Sequence, residues 1–264
     1  MRIGLAQLNM GFEEKETAKT TCRRIIADAK NRNVDFLIFP ETTLTGFTLQ
    51  PKIYGEKRSD SSSITFFCDE AKTHNMNICF GLPLVLEHTC ENHCIIIDRQ
   101  GTILADYAKI HPFSYGEEAK HYTGGNALSF CKVDGVCVSP LICYDLRFPE
   151  IFQIASLQSK IITVIANWPI ARREHWISLL QARALETQCF FIGVNRIGDG
   201  GGLHYGGDSM VISPTGEILL HATDADELAI IDIDPEEANI YQEKFPLKRD
   251  RRPELYHSLW EQHK

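Results

Sequence analysis

Three residues able to do acyl chemistry each stand where an apolar run gives out: Glu41 in VDFLIFPETTLTGF, Lys109 in ILADYAKIHPFSYGEE and Cys143 in SPLICYDLRFPE. A thiol is a nucleophile if something takes its proton and something else holds the negative charge of the tetrahedral intermediate. Cys143 ends an apolar run and precedes YDLRFPEIFQIA, so it is expected at a strand-to-helix turn, with Pro149 tolerated in the first turn of the helix. Free N–H groups and the positive end of a helix dipole there would favour thiolate and could hold an oxyanion. Glu41 follows a strand that stops at Pro40, where ligands of open α/β sheets gather, and a partly desolvated carboxylate there can act as general base. Lys109 follows another strand; a buried ammonium would need a carboxylate partner and could donate to an oxyanion. Each also has a plainer role by itself: a structural thiol, a turn cap, an exposed lysine.

These side chains need a scaffold, and the sequence supplies one. Short strand-like runs (RIGLAQL, VDFLIFP, NICFGLP, CIIIDRQ, TILADY, GVCVSPLIC, IITVIANWP, CFFIGVNRIG, GDSMVISP, ELAIIDID) are bounded by Gly, Pro, Asn or Asp. Between several of them, ETAKTTCRRIIADAKNRN, SSITFFCDEAKTHN, FPEIFQIASLQSK and REHWISLLQARALETQ repeat apolar residues every three or four positions, as amphipathic helices do. The order is α/β with hairpins mixed in. No low-complexity linker, charge block or fixed-period repeat interrupts it, which predicts one layered domain over residues 1–264. From about residue 244 the composition changes, with Lys248, Arg249, Arg251 and Arg252 ahead of an aromatic-rich tail. That stretch reads as an arm packing on the body or on another subunit, or as a solvated basic loop.

Composition narrows the function classes. A formal charge of −8 disfavours nucleic acid and anionic membranes as partners, leaving small molecules. MRIGLAQLNMGFEEKE meets acidic residues too early for a signal peptide, and no apolar stretch is long enough to span a bilayer, so a cytoplasmic protein is expected. The nine cysteines are odd in number and sit mostly inside apolar runs, as reduced small hydrophobes do. In LEHTCENHCIII, His88, Cys90, His93 and Cys94 carry metal-ligand atoms but crowd into one apparent hairpin turn, so a polar turn is expected and no metal site. GDGGGLHYGG lacks the flanking residues of a phosphate loop.

Together, LIFPETTLTGF, YAKIHPF and LICYDLRFPE resemble the Glu, Lys and Cys segments of the nitrilase superfamily of carbon-nitrogen hydrolases. The start IGLAQLN, the downstream ANWPIARREHWISLLQARALETQ and NRIGDGGGLHYGGDSMVISPTGEIL, and the ending extend the likeness over nearly the whole chain. The resemblance implies a four-layer α-β-β-α sandwich of two mixed sheets flanked by helices, commonly paired as a homodimer. It implies that Cys143 attacks an amide carbonyl, Glu41 takes its proton, and Lys109 with the Tyr144 N–H holds the oxyanion. Ammonia leaves, and water activated by Glu41 hydrolyses the thioester with no metal or organic cofactor. The family pattern adds a second carboxylate after the lysine; Glu118 fits it better than Glu117.

Within the superfamily, CYDLRFPE, ANWP, NRIG and GDS look most like the omega-amidase branch, which removes ammonia from the distal amide of 2-oxo-dicarboxylate monoamides such as 2-oxoglutaramate. An acidic substrate needs a cation, which Arg172 or Arg173 could supply. Phe47 and Trp168 could wall the pocket or be core aromatics. N-carbamoyl amidase or nitrilase activity fits the same three residues, and a non-catalytic thiol-sensing or interaction protein is the contrasting class.

Overall fold

The computed structural model describes residues 1–224 and 227–263. Along the chain, β1 (Arg2–Ala6), α1 (Lys15–Asn31), β2 (Phe36–Ile38), α2 (Pro51–Tyr54) and α3 (Ser62–His74) lead into the antiparallel run β3 (Asn77–Val85), β4 (Cys90–Ile97) and β5 (Ile103–Ala108). The second half holds β6 (Cys131–Val133), β7 (Val136–Ile142), α4 (Pro149–Ala155), β8 (Ile161–Ala166), α5 (Arg173–Thr187) and β9 (Phe190–Asn195). It closes with β10 (Ile197–Gly200), β11 (Leu203–Gly206), β12 (Met210–Ile212), β13 (Ile218–His221), β14 (Leu228–Asp232), α6 (Glu236–Lys244) and α7 (Pro253–Gln262).

Two six-stranded mixed sheets result, in the orders β14-β1-β2-β3-β4-β5 and β13-β12-β9-β8-β7-β6, with β10 and β11 as a separate hairpin. Side-chain alternation sorts the first sheet into two faces. Ile3, Leu5, Phe36, Ile38, Cys79, Cys94 and Ile96 pack in one core with the residues of the second sheet. Leu37, Phe39, Ile78, Phe80, Ile95 and Ile97 face the other way, onto α1 and α3. The second sheet covers its outer face with α4 and α5 through Phe152, Ala155, Trp176, Leu180 and Ala184. Gly193 permits that close approach, because a Cβ there would lie 2.5 Å from Leu180 and 2.9 Å from Trp176. The layers are therefore helix, sheet, sheet, helix, the four-layer sandwich expected.

The strand readings differ from the structure in detail. Strand β4 begins at Cys90, so the expected polar turn shrinks to the four residues closed by the Leu86 N–H to Thr89 carbonyl bond of 2.8 Å. Alternation then sends Cys90, Asn92 and Cys94 to one face and His93 to the other, where its ring meets Asp106 at 2.6 Å and Glu91 at 3.0 Å. Strands β6, β11 and β13 are three or four residues long and carry too little pattern to be read from sequence.

The basic C-terminal stretch lies on the body of its own chain. Lys248 donates to the Ser156 carbonyl at 2.5 Å and Arg251 to the Glu186 carbonyl at 2.6 Å, satisfying orphan acceptors at the ends of α4 and α5. Arg249 and Arg252 remain exposed. Among the described residues no helix is long and apolar enough to cross a membrane.

Candidate active site

Strands β2 and β5 run in the same direction in the first sheet, as do β7, β8 and β9 in the second, so their C-terminal ends open at one edge of the sandwich. Just past those ends stand Glu41, Lys109, Cys143 and Asn167, with Asn195 as the last residue of β9. They are where polar groups can meet beyond the last ladder hydrogen bonds.

Each is aimed by local backbone. After β2 the chain turns sharply: Thr42 adopts φ +46°, Thr43 Oγ1 donates to the Pro40 carbonyl at 2.7 Å, and Gly46 N–H returns to the Thr42 carbonyl at 2.9 Å. This turn lies directly on β3, where a Cβ on Gly81 would come within 2.5 Å of the Thr42 nitrogen and 2.9 Å of the Glu41 Cα. Lys109 continues the β5 ladder by donating to the Asn92 carbonyl at 2.8 Å. Cys143 takes φ +45°, a conformation that costs on the order of 1–3 kcal/mol in a residue with a Cβ and must be imposed by its surroundings. Asp145 imposes much of it: its buried carboxylate accepts from Ile142 N–H (3.1 Å), Tyr107 Oη (2.7 Å) and His111 N–H (3.0 Å). One carboxylate thus ties the cysteine turn to the lysine segment.

Glu41, Lys109 and Glu118 form a buried ion cluster. Lys109 Nζ donates to Glu41 Oε1 at 2.9 Å and to Glu118 Oε2 at 2.8 Å. Asn92 Nδ2 bridges the same two carboxylates at 2.7 and 3.2 Å, and Asn167 N–H holds Glu41 Oε2 at 2.8 Å. Burial alone would pull the Lys109 ammonium down, but Glu118 and Glu41 outweigh it and hold the group well above the usual lysine range. Glu117, by contrast, is an exposed acid 2.6 Å from Lys120.

Cys143 faces Glu41, and its surroundings differ from the expected helix-dipole setting. The cysteine opens a five-residue 3-10 turn, Cys143–Arg147, and α4 starts only at Pro149, so no long helix points its positive end at the sulfur. Burial, followed by the Glu41 carboxylate, pushes the thiol well above the usual cysteine range, with Lys109 opposing and Glu118 adding to the push. That push favours a resting thiol. Transfer of its proton to Glu41 moves negative charge from carboxylate to sulfur beside Lys109 without creating a new buried charge.

A small pocket of about 40 Å³ is bounded by Glu41, Lys109 and Cys143 and walled by Phe47, Tyr144 and Trp168. Trp168 is fixed by its indole N–H to the Arg172 carbonyl at 2.7 Å. Arg172 and Arg147 line the pocket, over the Phe113 ring at 5.3 Å and the Trp168 ring at 4.8 Å. Neither pairs with a carboxylate among the described residues. Arg173 does not line the pocket: it is clamped on Asp208 at 2.6 and 2.7 Å.

Comparison with known proteins gives the same answer as the geometry. The family model described as carbon-nitrogen hydrolase matches residues 2–242. The chain belongs to the carbon-nitrogen hydrolase family. It is 36% identical to omega-amidase YafV of Escherichia coli (strain K12), over 82% of this chain and 84% of the relative. It is 31% identical to 2-oxoglutaramate amidase of Bacillus subtilis (strain 168), over 87% and 89%. A CN-hydrolase superfamily protein from Xanthomonas campestris, solved with an arsenic adduct in its active site, superimposes with a TM-score of 0.89 at 27% identity, covering 96% and 97% of the two chains. The expected nitrilase-superfamily fold is therefore the observed one, and this member of the carbon-nitrogen hydrolase family is a hydrolase.

Sequence reasoning missed several residues of the site. Asn167 directly follows an apolar strand in ANWP, the criterion that found Glu41, and applying it evenly would have found Asn167 as well. Asn92 lay hidden among the metal-ligand types of CENHC, and Arg147, Asp145 and Tyr205, which also lines the pocket, gave no signal apart from their neighbours.

Proposed function

We propose that the chain hydrolyses the distal amide of a 2-oxo-dicarboxylate monoamide of the 2-oxoglutaramate type through a thioester on Cys143. Glu41 takes the thiol proton as sulfur attacks the amide carbonyl, and Lys109 with the Tyr144 backbone N–H holds the oxyanion. The C–N bond breaks, ammonia leaves with the proton from Glu41, and Glu41 then deprotonates the water that cleaves the C–S bond. Glu118 and Asn92 keep Lys109 and Glu41 in register. The observation that carries this reading is one pocket lined by Glu41, Lys109 and Cys143 together with two arginines, Arg147 and Arg172, that have no carboxylate partner among the described residues. Such cations suit a substrate with an acidic end, and the names of the amidase relatives support the same class.

The test is ammonia release from a panel of small amides by the protein and by Cys143→Ala. Release that favours carboxylate-bearing amides and vanishes in the variant supports the proposal; equal release by both contradicts it. The proposal includes a cytoplasmic location and a homodimer. On α7, Leu255, Tyr256, Leu259 and Trp260 are 36–63% exposed, an apolar side that a second copy would cover. Sedimentation as a monomer at micromolar concentration would contradict the dimer.

A further inference from the structure

Behind the pocket wall sits a cation that neither the ion cluster nor the catalytic scheme uses. Arg196 is fully buried and has no carboxylate partner among the described residues. Its guanidinium is held by carbonyl oxygens alone: Met10 and Asp199 accept from Nη2 at 2.9 Å each, and Ile197 accepts from Nε at 3.3 Å. Nη1 is buried with no hydrogen-bond acceptor. Gly200 makes room for it, since a Cβ there would lie 2.7 Å from Nη1. A buried, uncompensated charge is costly, and an anchor for a hairpin needs no charge.

Arg196 lies against the ring of Tyr205, whose centroid is 4.6 Å from the guanidinium carbon. Tyr205 stands on β11 opposite Gly198 of β10, lines the pocket, and is 2% exposed, yet its hydroxyl has no hydrogen-bond partner among the described residues. Burial pushes this phenol up to about 12, Arg196 opposes, and Glu41 and Cys143 push upward again, so at neutral pH the group is a donor. A phenol donor on the pocket wall, backed by a buried cation with no carboxylate partner among the described residues, suits an oxygen carrying negative charge.

We propose that Tyr205, braced by Arg196, is a specificity-determining residue whose hydroxyl donates to an oxygen on the acyl chain of an anionic amide. This rests on the anionic-amide reading above and adds the part of the pocket that reads the chain. The test compares succinamate, which carries a carboxylate, with butanamide, a neutral amide of equal length. Tyr205→Phe removes one oxygen and is expected to lower the ratio of kcat/KM for succinamate over butanamide by about 10–100-fold, chiefly through KM for succinamate. Arg196→Met is expected to lower the same ratio, and Arg196→Lys to restore part of it. An unchanged ratio in Tyr205→Phe, whether or not both rates fall together, overturns the inference and leaves the anionic-amide reading standing. A wild-type protein with no preference for succinamate overturns both.

Discussion

At the scale of single residues the decisive feature is a buried cysteine among ions, whose surroundings favour the thiol. Because burial and Glu41 hold Cys143 above the usual cysteine range, the native protein at pH 7 should show no more thiolate absorbance near 240 nm than Cys143→Ala; a distinct thiolate signal would refute the assignment. Asn92 is the next test. Replacing it by Ala removes the amide that bridges Glu41 and Glu118 and is expected to lower kcat by about 10–100-fold with KM little changed, measured by steady-state kinetics. The three groups at the centre were legible in the sequence because each is a polar residue stranded after an apolar run. Asn92 was not, because it lies within a strand and becomes polar contact only when β4 pairs with β3 and β5. The upward push on the thiol was not legible for a related reason: desolvation depends on what three-dimensional packing puts around the sulfur, and sequence gives only the local turn.

At the scale of elements, activity depends on two close approaches. Gly81→Ala would drive a methyl group into the backbone of the Glu41 turn, so it is expected to cut kcat/KM by about 100-fold while circular dichroism keeps the native profile. Asp145→Asn exchanges one acceptor oxygen of the tie between β5 and the cysteine turn for a donor, and should cost roughly 1–3 kcal/mol in denaturant unfolding. Long amphipathic helices such as α1, α3 and α5 were readable from their 3.6-residue period, as were the buried apolar strands. The division of those strands between two sheets was not, because pairing such as β1 with β14 joins residues more than two hundred positions apart. That topology came from resemblance, and the small hairpin carrying Tyr205 looked only like a glycine-rich loop.

At the scale of the whole molecule, buried ionisable groups set the pH range of stability. Cys131 is pushed by burial from 9.0 up to about 12, and burial likewise raises Cys94 and Cys143. The unfolded chain would release these protons first, so their stabilisation is present below about 9 and lost as pH rises from there toward 12. Glu56 does the reverse. Despite burial, its bonds to Lys15 and to Ser61 and Ser63 at the start of α3 lower it to about 2 from 4.5, so its contribution is present above 4.5 and lost as pH falls toward 2. The melting temperature should therefore form a plateau between about 5 and 9 and decline on both sides; a rise between 9 and 11 would contradict the buried-thiol picture.

The account stands most directly on a covalent bond to one sulfur. Intact-protein mass spectrometry of samples quenched during turnover of succinamate should show an adduct equal to the substrate minus ammonia, located on Cys143 and absent from Cys143→Ala. Sustained ammonia release by Cys143→Ala, or an adduct on another residue, would contradict it.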